Sequence, residues 1–136
     1  METKKMVMIP GPTPVVKAIQ EQMGRETQAF GDPRFVADYR ELIADLGQLL
    51  NCSGKTFPLA GTGTLAMEMA NTTKRGDSVL IVSHGFFGDR FIDICQRKGL
   101  DVDVLSSEWG KTVPLADIEA KLKEKKYAAM TVSHVD

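Results

Sequence analysis

The sequence predicts an α/β fold organised around a parallel sheet, and three observations carry that expectation. Beyond about residue 56, short runs of β-branched and apolar residues alternate with amphipathic stretches of about ten residues, which is the pattern of strands joined by helical crossovers. Glycine-bearing turns, Gly61-Thr62-Gly63-Thr64 and Gly85-Phe86-Phe87-Gly88, fall where a strand hands over to a helix. The chain has 136 residues, 43% hydrophobic and 26% charged, which is one domain's length and ordinary globular composition.

The elements follow in order. Pro10, Gly11, Pro12 and Pro14 make a stiff opening, because proline fixes φ and removes a backbone donor. Residues 1–32 are therefore expected as an N-terminal irregular segment, with one short helix from Val15 to Met23 and turns at Gly24 and Gly31-Asp32-Pro33. Pro33 suits the first turn of a helix, and Phe35, Tyr39, Leu42, Leu46 and Leu49 recur at helical spacing, flanked by Val36, Ile43 and Leu50. Asn51 and Gly54 supply the stop. Thr56 to Ala60 reads as a short strand and Leu65 to Lys74 as a helix. Ser78 to Val82 is a strand, Phe86 to Lys98 a helix ended by Gly99, and Val102 to Leu105 a strand. Ala116 to Lys126 is a helix with Ile118 and Leu122 inward and its lysines solvated, and Ala128 to Ser133 is the last strand.

Charge and composition exclude several classes. Lys plus Arg is 17 against 18 Asp plus Glu, so the basic footprint of a nucleic-acid binder is missing. No apolar run is long enough to span a membrane, and Met6 to Ile9 is too short for a signal-peptide core, so a cytoplasmic protein is expected. Cys52 and Cys95 are too few for a disulfide framework and form no C-x-x-C pair, so both are expected as reduced, packed thiols. His84 and His134 are isolated, and no metal site is expected.

Ligands of open parallel sheets bind outside the carboxyl ends of the strands. Gly61-Thr62-Gly63-Thr64, His84-Gly85-Phe86-Phe87-Gly88 and Ser133-His134 all fall there. The first segment leads into a helix, whose free amides and macrodipole favour an anion, and its threonines add hydroxyl donors. It has neither the Gly-Lys-Ser/Thr of a P-loop nor the length of G-x-G-x-x-G. On the bare motif it reads either as a phosphate site or as a tight turn capped by threonine. Phe86 and Phe87 read either as core packing or as a face for a planar ring. His84 is expected to bond locally at the strand end, Asp89 and Arg90 to form a surface pair, and Glu108-Trp109-Gly110 to be a packed loop.

Together the stretches PGPTPV (10–15), GTGTLAME (61–68), GDSVLIVSHGFFGDRF (76–91), EWGKTV (108–113) and VSHVD (132–136) resemble the class V aminotransferases. The similarity is strongest to the alanine–glyoxylate, serine–pyruvate and 2-aminoethylphosphonate–pyruvate group, and runs in order through the whole chain. It implies the large domain of fold type I, with residues 33–136 forming its N-terminal part. It also implies pyridoxal 5′-phosphate (PLP) as cofactor, amino acid and 2-oxo acid substrates such as glyoxylate or pyruvate, and a homodimer with a shared active site. Thr62, Gly63 and Thr64 match the positions that hold the cofactor phosphate, and Phe87 matches the aromatic that stacks on its pyridine ring. Gly11 and Pro12 match the N-terminal segment that passes near the substrate.

The family's Schiff-base lysine, the aspartate for the pyridinium nitrogen and the arginine for the substrate carboxylate fall beyond Asp136, and no lysine here matches a catalytic motif. The chain is thus expected to be the N-terminal part of a longer enzyme and inactive alone. The alternatives are an inactive module of this fold that binds a phosphorylated ligand or a partner chain, and another member of the superfamily such as a desulfurase or lyase. A truncated sheet is expected to expose an apolar edge and face around Val79 to Val82 and Met130 to Val132.

Overall fold

The computed structural model describes residues 6–9 and 11–136. Pro10 of the opening proline motif lies outside the described residues. The chain divides into two compact units, Met1–Leu59 and Ala60–Asp136.

Among the described residues the first unit contains two helices. Helix α1 spans Lys17–Met23 and α2 spans Pro33–Leu49. Pro33 opens α2 as expected, and the Asp32 carboxylate accepts the Arg34 amide at 2.8 Å to cap it. Thr56 to Ala60 is not a strand. No strand runs beside it among the described residues, and an extended segment without a ladder has no partners for its amides. The Thr56 hydroxyl instead donates to the Ile43 carbonyl of α2 at 3.0 Å.

The second unit carries the α/β layer. Helix α3 (Gly63–Ala70) precedes β1 (Ser78–Ser83), followed by α4 (Phe86–Lys98), β2 (Asp101–Ser106), α5 (Leu115–Glu124) and β3 (Ala129–Val132). Helix α3 stops four residues before the expected Lys74. Asn71 turns the chain away: its amide donates to Cys95 Sγ at 3.3 Å, and its carbonyl accepts from Lys98 Nζ. The sheet is parallel throughout, in the order β2-β1-β3, with Ser78 opposite Asp101 and Val79 opposite both Val102 and Ala129. Both connections between strands pass through a helix, which is what parallel pairing demands.

The central strand is the core. Val79, Leu80, Ile81 and Val82 are fully buried, so the expected apolar patch does not include them. Pairing on both edges leaves β1 no free side, and its even run of apolar residues supplies both faces. Val79 and Ile81 pack with Cys95 of α4 and Leu100, and Phe91, Ile92, Val102 and Ala129 close around them. Each such side chain contributes roughly 1.5–3 kcal/mol when removed from water. Burial pushes the Cys95 thiol above its ordinary range. Cys52, by contrast, is exposed rather than packed. Met130 and Val132 on β3 and Val104 on β2 are exposed.

Gly99 ends α4 in the left-handed conformation, φ 76°. On α5, Leu122 is 42% exposed and Lys121 is more buried than expected, reversing the assumed orientation of that turn. The reason is electrostatic: Lys121 and Lys125 reach Asp103 at 3.7 and 3.3 Å, and Lys125 reaches Asp101 at 2.8 Å.

Candidate anion site at the carboxyl end of the sheet

Helix α3 begins one residue after Thr62, whose extended backbone makes it the N-cap. Its hydroxyl accepts the Leu65 amide at 3.3 Å, and its carbonyl accepts the Ala66 amide. The Gly63 and Thr64 amides have no partner among the described residues. Two free donors thus stand at the positive end of the helix, next to two hydroxyls. A Cβ built on Gly63 meets nothing within 4 Å, so the space before the loop is open. Gly61 is different: a Cβ there would stand 2.3 Å from Leu65 Cδ2, so a side chain at this position displaces that of Leu65. This donor set suits a phosphate.

Strand β1 delivers Ser83, His84 and then α4 to the same end of the sheet. Gly88 lets α4 approach the strand, because a Cβ there would be 2.4 Å from Ser83 Oγ. The Ser83 hydroxyl lies 2.8 Å from Asp89 Oδ1 and donates to it. Asp89 is therefore not the partner of Arg90. Arg90 Nη1 instead donates to Thr64 Oγ1 at 2.7 Å, and its guanidinium lies 4.7 Å from the Phe86 ring centroid and 5.6 Å from that of Phe87. The two phenylalanines meet edge to face at 5.5 Å. Phe87 remains 46% exposed, so it is no core residue of this unit and offers surface to a planar ring.

Two amides at the start of α4 are already occupied. Phe87 N donates to Asp136 Oδ1 at 2.6 Å and Gly88 N to Oδ2 at 2.8 Å. This carboxylate clamp ties the chain beyond β3 to α4. His84 accepts the Val113 amide on Nδ1 at 3.4 Å, beside Ser107 Oγ at 3.3 Å. Ser107 Oγ in turn donates to the Lys111 carbonyl at 2.7 Å. His84 thus pins the loop after β2, the local bonding expected of it. Trp109 in that loop is 77% exposed, not packed.

The structure brings Thr62, Gly63, Thr64 and Phe87 into one unit, linked through Arg90. Gly11 and Pro12 are exposed residues of the other unit. From the sequence Arg90 is expected only as the surface partner of Asp89 and Gly88 only as part of a turn, and no role is expected for the Asp136 side chain. Only Arg90 left a signal, its position three residues after Phe87 on one helix face. A groove of about 690 Å³ in the first unit, lined by Tyr39, Ile43, Gly47, Cys52, Thr56 and Phe57, contains none of these residues. Among the described residues no group of three or more His, Cys, Asp or Glu is placed to hold a metal, and no helix is long and apolar enough to cross a membrane.

The sheet and the glycine turns at its carboxyl end define an α/β protein of the aminotransferase fold. The chain superposes on ureidoglycine–glyoxylate aminotransferase from Bacillus subtilis with TM-score 0.78 and 27% identity, over 96% of this chain and 35% of that one. It is 35% identical over 134 residues to serine–glyoxylate aminotransferase of Hyphomicrobium methylovorum, covering 94% of this chain and 33% of the relative. It is also 32% identical over 139 residues to a protein named as the small subunit of a soluble hydrogenase from Synechococcus, covering 98% and 36%. The resemblance to class V aminotransferases is borne out, and the chain spans about a third of the length of the curated relatives it matches. No protein-family model matches it.

Proposed function

We propose that the chain is the N-terminal part of a longer PLP-dependent aminotransferase that moves an amino group between an amino acid and a 2-oxo acid such as glyoxylate or pyruvate. The observation that carries the reading is the pair of unpartnered amides, Gly63 and Thr64, flanked by two threonine hydroxyls and linked through Arg90 to the half-exposed ring of Phe87. The relatives named as glyoxylate aminotransferases support the same reading.

In this reading Thr62, Gly63 and Thr64 bind the cofactor phosphate, and Phe87 covers one face of its ring. Gly11 and Pro12 belong to the segment near the substrate. When bound, PLP supplies an electron sink that eases removal of a proton from the substrate α-carbon. The contribution of residues 60–136 is to hold the phosphate against the helix dipole and to fix the ring by its flat face. The lysine that joins the cofactor belongs to the longer protein. In domain terms, residues 1–32 are an N-terminal segment and 33–136 the start of the large PLP-binding domain. The longer protein is a cytoplasmic homodimer in this proposal, and sedimentation of that protein at low micromolar concentration tests the assembly.

A second reading, a module that binds a phosphorylated ligand without transamination, is favoured by one fact. The donors of the cradle all come from the unit Ala60–Asp136. Calorimetric titration of the chain with pyridoxine 5′-phosphate, and half-transamination absorbance of the longer protein with amino donors and glyoxylate, separate the two. Phosphate-dependent binding together with amino transfer supports the first reading. Binding without transfer supports the second, and no phosphate preference refutes both.

A further inference from the structure

We propose that Arg90 is a positioning residue of the anion site, which sets the Thr64 hydroxyl as a hydrogen-bond donor toward a bound phosphate. The proposal rests on the reading of Thr62, Gly63 and Thr64 as a phosphate cradle and assigns the group that orients it.

Arg90 Nη1 lies 2.7 Å from Thr64 Oγ1. A guanidinium has donors and no acceptor, so the threonine oxygen must accept in this bond. The hydroxyl keeps its own proton, and among the described residues it donates that proton to nothing. Thr64 is the second residue of α3, so this free donor stands beside the unpartnered amides of Gly63 and Thr64. Without Arg90 the hydroxyl would be free to rotate and to present a lone pair to the anion.

Three features show that the contact is directed. Arg90 is half-buried and has no carboxylate within ion-pair distance among the described residues, so its charge is not neutralised locally. Its neighbour Asp89, the obvious partner in sequence, is bonded to Ser83. The guanidinium lies against Phe86 and Phe87, which restrict its rotation and hold its fork toward α3. Arg90 therefore couples the aromatic face and the phosphate loop through a single planar group.

The test is a double-mutant cycle on ligand affinity. The probe is pyridoxine 5′-phosphate, which carries the phosphate but no aldehyde to react with surface lysines, and pyridoxine is the phosphate-free control. Affinities are measured by calorimetry at fixed salt for the parent chain, Arg90→Gln, Thr64→Val and the double variant, each below its melting temperature. Each single variant is expected to lose about ten- to a hundred-fold in affinity. The double variant is expected to lose no more than the worse single one, because both remove the same oriented hydroxyl. Arg90→Lys, a point charge without the fork, recovers only part of the loss. Pyridoxine affinity changes much less than that of its phosphate ester throughout.

Losses that multiply in the double variant, or an unchanged Arg90→Gln, overturn the positioning role while leaving the cradle standing. A parent chain without preference for the phosphate ester overturns the cradle and this inference with it. If Arg90→Gln does not fold, Thr64→Ser against Thr64→Val decides: serine keeps the parent affinity and valine loses it, and equal affinities overturn the proposal.

Discussion

Adding one methyl group at Gly88 should dislodge the helix that carries Phe87 and Arg90. A Cβ on Gly88 would stand 2.4 Å from Ser83 Oγ, 2.6 Å from Ser83 Cα and 2.8 Å from Ser83 Cβ. Comfortable carbon contacts need about 3.5–4.0 Å. Rotating the serine hydroxyl away relieves only the first contact, and it breaks the 2.8 Å bond to Asp89 in a buried setting. The clash with Ser83 Cα is with backbone of the central strand and is relieved only by moving α4 outward. Overpacking of this kind costs about 1–3 kcal/mol or more. Alanine returns at most about 1 kcal/mol of helix propensity relative to glycine. The backbone clash sets Gly88→Ala at the upper end, a net loss of about 2 kcal/mol. For a domain of this size that is a fall in melting midpoint of roughly 8–16 °C. The assay is a far-ultraviolet circular dichroism melt, with amide exchange of Phe87, Gly88 and Arg90 as the local readout. Gly63→Ala is the control, since its Cβ meets nothing within 4 Å and its midpoint should stay near the parent's. A Gly88→Ala variant that melts at or above the parent, with unchanged exchange along α4, would refute the close-approach argument.

Further expectations concern the site and the surface. Gly63→Val should fold normally but abolish phosphate-dependent binding of pyridoxine 5′-phosphate, because the branched side chain fills the open space before the free amides; unchanged binding removes the cradle. Phe87→Ala should shift the melt little, since the ring is half-exposed, yet lower ring-dependent affinity about tenfold, while Phe87→Trp retains it; calorimetry with pyridoxine 5′-phosphate against inorganic phosphate reads the difference. The Lys125 ammonium chiefly holds Asp101 below its ordinary range, and the Tyr127 hydroxyl chiefly does so for Asp103. The hydrogen bond to Asp101 pushes Lys125 up. The carboxylates' contribution to stability is therefore present above the ordinary aspartate range and lost as pH falls through their lowered values. That of Lys125 is present below the ordinary lysine range and lost as pH rises through its raised value. Carboxyl titration by NMR should give midpoints for both aspartates below that of a free aspartate, and Lys125→Met should move Asp101 back toward it; ordinary midpoints in the parent would mean that these contacts do not form in solution.

Much of the architecture is legible in the residues because it depends on local rules. The period of Phe35, Tyr39, Leu42, Leu46 and Leu49 specifies α2, with Asp32 and Pro33 at its start. The apolar run from Val79 to Val82 specifies a strand buried on both faces, and Gly99 the end of α4. Thr62 before Gly63 specifies a capped helix start, which is why the anion loop could be read from four letters. Pairing decides the rest. Thr56 to Ala60 has a strand's composition but no ladder to join, so it stays irregular. Lys121 and Lys125 look like a solvated face until β2 places Asp101 and Asp103 beside them. Arg90 looks like the partner of Asp89, but Ser83 takes Asp89 and Thr64 takes Arg90 from 26 positions away. Asp136 caps α4 from 48 to 49 positions away. Helical period, proline and glycine act on the chain's own nearest turns, so the sequence alone determines which stretches become helices and which the buried central strand, whereas the end of α3 and the inward face of α5 follow distant contacts. A hydrogen bond or ion pair between distant side chains depends on where the sheet sets them, and only the tertiary structure decides that.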